Sequence, residues 1–154
     1  MAFSLHPLGA LDLDRAAAIH GEAFAALGER GWTRADFAGL RASPGVGGFL
    51  LVDGDRDAGL VLCRTVADEA ELLTIAVGAA HRRHGAGRLL LQAAIDRAKS
   101  AGALALFLEV GADNPPARAL YERAGFEAVG GRAAYYRRGV LPAADAIVMR
   151  LNLS

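Results

Sequence analysis

Hydrophobic and polar positions alternate, then cycle, then alternate again along the chain, and these switches of period predict its elements. Phe3 to Leu8 alternates as a strand does. From Asp12 to about Leu27 the apolar residues Ala16, Ile19, Ala23 and Phe24 recur at helical spacing behind an acidic cap. Thr33 with Asp36 has the spacing that opens a second short helix, and Trp32 lies in the loop between the two. Three strand-like runs follow, GGFLLVD, AGLVLCRTV and ELLTIAV, joined at Asp53-Gly54-Asp55 and at Asp68-Glu69 by residues suited to tight turns. They predict an antiparallel meander.

After Gly87 the period becomes helical, with Leu91, Ile95 and Ala98 on one face and Arg88, Gln92, Asp96 and Lys99 on the other, until Gly102 closes the helix. Ala103 to Val110 is a continuous apolar run with one carboxylate, Glu109, near its end, the pattern of a buried strand running parallel to the one before the helix. Asn114 then caps a helix with Pro115 in its first position, where the missing N–H has no intrahelical partner to lose, and Gly125 ends it after Tyr121. Phe126 to Leu153 reads as two strands around a turn at Gly139 to Pro142. The order β-α-α-β-β-β-α-β-α-β-β predicts one α/β domain over residues 1–154 with a mixed, mostly antiparallel sheet. It has about seven strands, a central parallel pair and about four helices.

Composition narrows the function classes. A chain of 154 residues fits one domain and can bury a sizeable core. Seventeen basic residues cancel seventeen acidic ones, so no global field draws in nucleic acid or an anionic membrane. Although 53% of residues are hydrophobic, no run approaches the roughly 20 needed to span a bilayer. The N-terminal MAFSLHPLGALDLDR lacks the pattern of a secretory signal, and a cytoplasmic location is expected. The lone Cys63, in GLVLCRT, cannot close an internal disulfide; with no His or Asp placed beside it by the sequence, it reads as a small buried residue. Four scattered histidines make no zinc spacing, so no metal is expected. His6 and His20 read as structural residues.

The segment TIAVGAAHRRHGAGRLLL sets RRHGAG between a strand and the start of an amphipathic helix. A helix start offers unpaired amides and the positive dipole end, and Gly85 and Gly87 leave room for a pyrophosphate to approach the backbone. Arg82, Arg83 and Arg88 can add charge-assisted contacts. His81 and His84 flank the same turn, either against a coenzyme or simply at a solvent-exposed turn. A P-loop would require Lys-Ser or Lys-Thr after the last glycine, whereas Arg88-Leu89 follows Gly87. A dinucleotide fingerprint would require a small residue at Leu90.

RRHGAG resembles the Q/R-x-x-G-x-G/A acetyl-CoA motif of the GCN5-related N-acetyltransferases, and the predicted element order is similar to that family's fold along nearly the whole chain. Within it, DEAELLTIAV, LEVGADNPPARALYERAGF, the Tyr135-Tyr136 pair and the closing DAIVM resemble the bacterial ribosomal-protein-alanine N-acetyltransferases. The resemblance implies an acetyl-CoA-dependent transfer to a primary amine, with Glu109 as general base and Tyr121 as general acid. It implies coenzyme contacts along Ile75, Ala76 and Val77, where the family's strand is bulged and an amide meets the thioester carbonyl. The contacts would continue through Arg82, Arg83, His84, Gly85, Ala86, Gly87 and Arg88. It also implies an acceptor groove bordered by Trp32, Tyr135 and Tyr136. Two positions depart from the pattern: Gly111 stands where arginine is usual after LEV, and Ala134 where asparagine usually precedes the tyrosine pair.

Read from the residues alone, Glu109 is equally a strand-end carboxylate paired with an arginine, and Tyr121 a core residue alongside Ala117, Leu120 and Ala124. Asn114 either caps its helix or reaches the coenzyme. Glu22, Asp68 and Glu69 either receive a basic peptide or are solvated. A carboxylate of pKa about 4.3 is a weak base toward an ammonium, so Glu109 is expected to be partly desolvated or to work through water. An α-amino group at about 7.7 to 8.0 is easier to deprotonate than lysine at about 10.4, which favours a protein N-terminus as acceptor. Tyr121, near 10 when unperturbed, is protonated at neutral pH and can donate to the departing sulfur. Two further readings stand beside this one: a small-molecule amine acetyltransferase, and a non-catalytic acyl-CoA-binding module. A monomer or weak homodimer is expected.

Overall fold

The computed structural model describes the backbone of residues 1–138 and 141–154 and the side chains of residues 1–131 and 145–154. Its elements are β1 (Phe3–Pro7), α1 (Leu13–Ala25), α2 (Arg34–Arg41), β2 (Val46–Asp53), β3 (Arg56–Val66), β4 (Glu69–Val77), α3 (Ala86–Ser100), β5 (Ala105–Gly111), α4 (Pro115–Arg123), β6 (Glu127–Arg138) and β7 (Leu141–Asn152). The predicted order is thus present, with single 3-10 turns added at Ala10–Asp12 and Ala79–His81. Among the described residues the strands form one sheet in the order β1-β2-β3-β4-β5-β7-β6. All neighbours are antiparallel except β4 and β5, which are joined by the α3 crossover.

Local chemistry explains the element ends. Thr33 accepts the Asp36 amide while Asp36 accepts the Thr33 amide, the capping box that its spacing predicted for α2. Asp12, expected to cap α1, instead accepts the Gly9 amide at 2.8 Å and closes the 3-10 turn ahead of the helix. Asn114 caps α4 through the Ala117 amide, with Pro115 in the first turn. Among the described residues no helix is long and apolar enough to cross a membrane.

Two apolar layers sandwich the sheet. Leu90, Leu91, Ala94 and Ile95 of α3 and Tyr121 of α4 pack on one face with Leu106, Leu108 and Val110 of β5. Ala16 and Ile19 of α1 and Phe37 of α2 pack on the other with Leu50, Leu60 and Leu62. A bulge in β4 decides which face each of its later residues serves. Leu62 pairs with Thr74 and Cys63 with Leu72, leaving Leu73 as the extra residue. Ahead of the bulge Ala70 and Leu72 belong to the α3/α4 layer; beyond it Ile75 and Val77 do, while Ala76 joins the α1/α2 layer. One inserted residue thus reverses the alternation. Cys63 is fully buried, its thiol donates toward the Gly47 carbonyl at 3.4 Å, and burial pushes its pKa up, so it is a packing residue.

Candidate active site

The parallel pair opens into a wedge. β4 and β5 are paired only through Glu69 with Ala105, Ala70 with Leu106 and Glu71 with Phe107, so beyond those residues the strands part. The edge of β4 from Leu72 to Val77 that faces β5 therefore carries backbone groups available to a ligand lying between the strands. The bulge at Leu73 lies at the vertex of this opening, two residues before the position expected for it. Ala76 and Val77 lie farther out along the wedge, towards the turn that leads into α3.

Glu109 occupies β5 two residues past the last pairing, level with the bulge, and pairs on its other side with Val148 of β7. Its neighbours Leu108 and Val110 point into the α3/α4 layer, so by strand alternation Glu109 points to the α1/α2 face. Tyr121 belongs to the opposite layer. Its ring is buried, 4% exposed, and meets Phe126 edge-on at 5.8 Å. Glu109 and Tyr121 thus belong to opposite faces of the sheet.

At the mouth of the wedge the chain turns twice through the left-handed region, at Arg83 with φ 65° and at Gly85 with φ 82°. Gly85 precedes α3 without any side-chain cap, so the amides of residues 86 to 88 have no intrahelical acceptor. A left-handed residue followed by a helical one turns successive amides into a concavity suited to anions. Arg82, Arg83, His84 and Arg88 are exposed around it. The fit to a diphosphate is good at Gly85, where a Cβ would meet no protein atom within 4 Å. Gly87 lies within the first turn of α3, and a Cβ there would come 3.3 Å from Leu120, so its lack of a side chain also lets α4 approach α3. Gly85→Val should raise the coenzyme Kd by about tenfold or more by blocking approach to the backbone, and should also lower stability by about 1–2 kcal/mol because the left-handed backbone strains a β-branched residue. Calorimetric titration with coenzyme A and a thermal melt read the two separately.

The residues expected to border an acceptor gather partly on α1. Trp32 is partly buried, packs with the α1/α2 core, and stacks on the His20 ring at 4.7 Å. Tyr135 and Tyr136 lie in β6, but their side chains fall outside the described residues, as does that of Ala134. Glu69, exposed at the first residue of β4, sits at the closed end of the parallel pair, about 13 Å along the strand from the bulge. Glu22 accepts the Ala79 amide at 3.1 Å and so ties α1 to the turn after β4. His81, read as lying either against a coenzyme or at an exposed turn, is buried at 3% exposure with Nε2 3.2 Å from Asp53 Oδ2. Asp53 also accepts the Ala2 amide, the main cause holding its carboxyl below the usual range. Asn114 keeps its capping role.

Sequence reasoning passed over Thr74 and treated His20 as structural. Thr74 is 6% exposed and His20 2%, and they are hydrogen-bonded to each other at 2.9 Å. The available signals were a hydroxyl inside the apolar run ELLTIAV and an imidazole on the apolar face of α1, one turn from Ala16 and Ala23.

Comparison with known proteins agrees with this geometry. The profile of the "Acetyltransferase (GNAT) family" matches residues 13–126. The [ribosomal protein bS18]-alanine N-acetyltransferase of Salmonella typhimurium is 39% identical over 127 residues, covering 80% of this chain and 82% of the relative. An N-alpha-acetyltransferase, RimI, of Mycobacterium tuberculosis is 37% identical, covering 93% of this chain and 90% of its own length. Among solved structures, the ribosomal-protein-S18-alanine N-acetyltransferase from Escherichia coli superposes with a TM-score of 0.89 at 34% identity, covering 99% of this chain and 94% of that one. With its splayed strands, glycine-led helix start and these relatives taken together, the chain belongs to the acetyltransferase (GNAT) family.

Proposed function

We propose that this enzyme transfers the acetyl group of acetyl-CoA to the N-terminal α-amino group of a cytoplasmic protein, of the ribosomal-protein-alanine type. The observation that carries this reading is the wedge between β4 and β5, with Glu109 on its α1/α2 face and the uncapped start of α3 at its outer end. The amides of Ala86, Gly87 and Arg88, with the side chains of Arg82, Arg83, His84 and Arg88, are placed to hold the diphosphate. The backbone edge of β4 from Ile75 to Val77 is placed to hold the arm that follows it. When bound, the coenzyme supplies an activated acyl carbon and a thiolate leaving group.

The remaining work falls to this chain's residues. Glu109 takes one proton from the ammonium of the acceptor, directly or through water, so that the nitrogen lone pair can form the new bond to the acyl carbon. A β4 amide near Ile75 donates to the carbonyl oxygen as negative charge gathers there. As the C–S bond breaks, Tyr121 would give its proton to the sulfur, and the surplus proton left on the nitrogen after bond formation would restore the phenol through water, leaving the amide neutral. The likeness to relatives that bear ribosomal-protein-alanine N-acetyltransferase names supports a protein N-terminus as the acceptor. So does the lower pKa of an α-amino group, about 7.7 to 8.0 against about 10.4 for lysine, which suits a carboxylate base.

The test is mass spectrometry of synthetic peptides incubated with enzyme and acetyl-CoA. Peptides that begin with alanine should gain one acetyl group at the N-terminus, ahead of the same peptides with a blocked N-terminus and an internal lysine. If neither these peptides nor the N-terminal amines of a cell extract are acetylated, while a small amine is, the protein-acceptor reading falls.

A further inference from the structure

A buried imidazole joins the acceptor side of the site to the strand that forms the wedge. Trp32 donates its backbone N–H to His20 Nδ1 at 2.9 Å. A main-chain N–H can only donate, so Nδ1 carries no proton and the ring proton is on Nε2, which donates to Thr74 Oγ1 at 2.9 Å. The ring is clamped between Phe24, stacked at 4.1 Å, and the Trp32 indole, with Phe37 edge-on at 5.6 Å. The loop before Trp32 lies close on α1 because two glycines meet there: a Cβ on Gly31 would collide with the backbone of Gly21, the residue after His20. Thr74 directly follows the bulge residue of β4, on the face that Glu109 also addresses.

From this arrangement we propose that His20 is a positioning residue of the acceptor site. One of its nitrogens fixes Trp32 and the other anchors to Thr74, so the indole that borders the acceptor is registered against the splayed strand and against Glu109. The inference rests on the reading of Trp32 as an acceptor wall. It assigns His20 and Thr74 to acceptor affinity, not to coenzyme binding or to chemistry. Removing the Thr74 hydroxyl frees the imidazole to tilt and releases the indole, without altering any group at the phosphate turn.

Thr74→Val keeps the shape and removes the hydrogen bond, Thr74→Ser restores it, and His20→Asn keeps an acceptor for the Trp32 amide while losing the bond to Thr74. Trp32 is the only tryptophan of the chain, so its emission reports this site directly. Loss of one neutral hydrogen bond should raise the acceptor KM of Thr74→Val and of His20→Asn by about three- to tenfold, with kcat and the coenzyme A Kd within about twofold. Their Trp32 emission should shift to the red and become more accessible to acrylamide, and Thr74→Ser should behave as wild type in every measure.

Unchanged acceptor KM and unchanged emission in the two folded variants would overturn the proposal. So would a loss confined to kcat or to coenzyme affinity. The acceptor KM is read with whichever amine the wild-type enzyme acetylates. A failure of the peptide reading therefore shows in the wild-type protein, whereas a failure of this inference shows only in the difference between variants.

Discussion

Glu109→Gln should lower kcat toward an N-terminal peptide by about tenfold at pH 7, because without a base only about a tenth of an α-amino group of pKa about 7.7 to 8.0 is neutral there. Glutamine keeps the size of the side chain and its pairing position opposite Val148 but cannot take up a proton. The coenzyme A Kd should stay within about twofold, since in the proposed site residues 82 to 88 hold the diphosphate and the β4 backbone holds the arm. The deficit should also shrink as the pH rises. An α-amino group at about 7.7 to 8.0 is already mostly neutral at pH 9, and an acceptor that needs no deprotonation does not miss the base. Steady-state kinetics of wild type and variant at pH 7 and pH 9, with calorimetry for the coenzyme, check both statements. A variant that keeps its kcat within a factor of three at pH 7 would remove Glu109 from the role of base. Tyr121→Phe should cost less, because a thiolate, whose thiol has an ordinary pKa of about 8.5, can leave without a proton, while the ring stays packed against Phe126.

The second large effect concerns stability in acid. Burial among Phe24, Trp32 and Phe37 pushes His20 down from the ordinary 6.5 to about 4, against a smaller opposing pull from Asp36. The unfolded chain takes up this proton from about pH 6.5 downward, whereas the folded protein refuses it until about pH 4. Stability from this residue is therefore complete above about pH 6.5, falls as the pH falls towards about 4, and levels off below. A gap of that size corresponds to about 3 kcal/mol across the window. Urea denaturation of wild type between pH 7.5 and pH 4.5 should show the decline, and His20→Asn should flatten it. The carboxylates act in a separate window. Asp36, held low chiefly by the Thr33 amide, loses its contribution only as the pH falls below its ordinary 3.8. Equal pH slopes for wild type and His20→Asn would show that His20 is not the group responsible.

Much of this enzyme was legible before any coordinates. Caps and turns act over three or four residues, so Thr33 with Asp36, Asn114 with Pro115, and the glycines at 102 and 125 marked their helix ends directly. The strand alternation and the α3 crossover specified the parallel pair, and RRHGAG marked the turn at the mouth of the wedge. Less legible was anything that depends on which strand lies opposite which. Asp12 has the sequence of a helix cap, yet a 3-10 turn captures it; His81 has the sequence of an exposed turn residue, yet it packs against Asp53 of β2.

By itself, then, the sequence determined the order of elements, the family, and the residue types available for binding a diphosphate and moving two protons. These follow from periodicities and short-range hydrogen bonds. Only the tertiary structure decided that pairing between β4 and β5 ends at Glu71, that the bulge at Leu73 turns Thr74 towards α1, and that Glu109 and Tyr121 serve opposite faces of the sheet. It alone showed that Gly87 also faces Leu120 of α4, and that His20 bridges Trp32 and the wedge. Each of these depends on register and packing between segments distant in the chain, and one residue of slip in a strand would reverse every side chain beyond it.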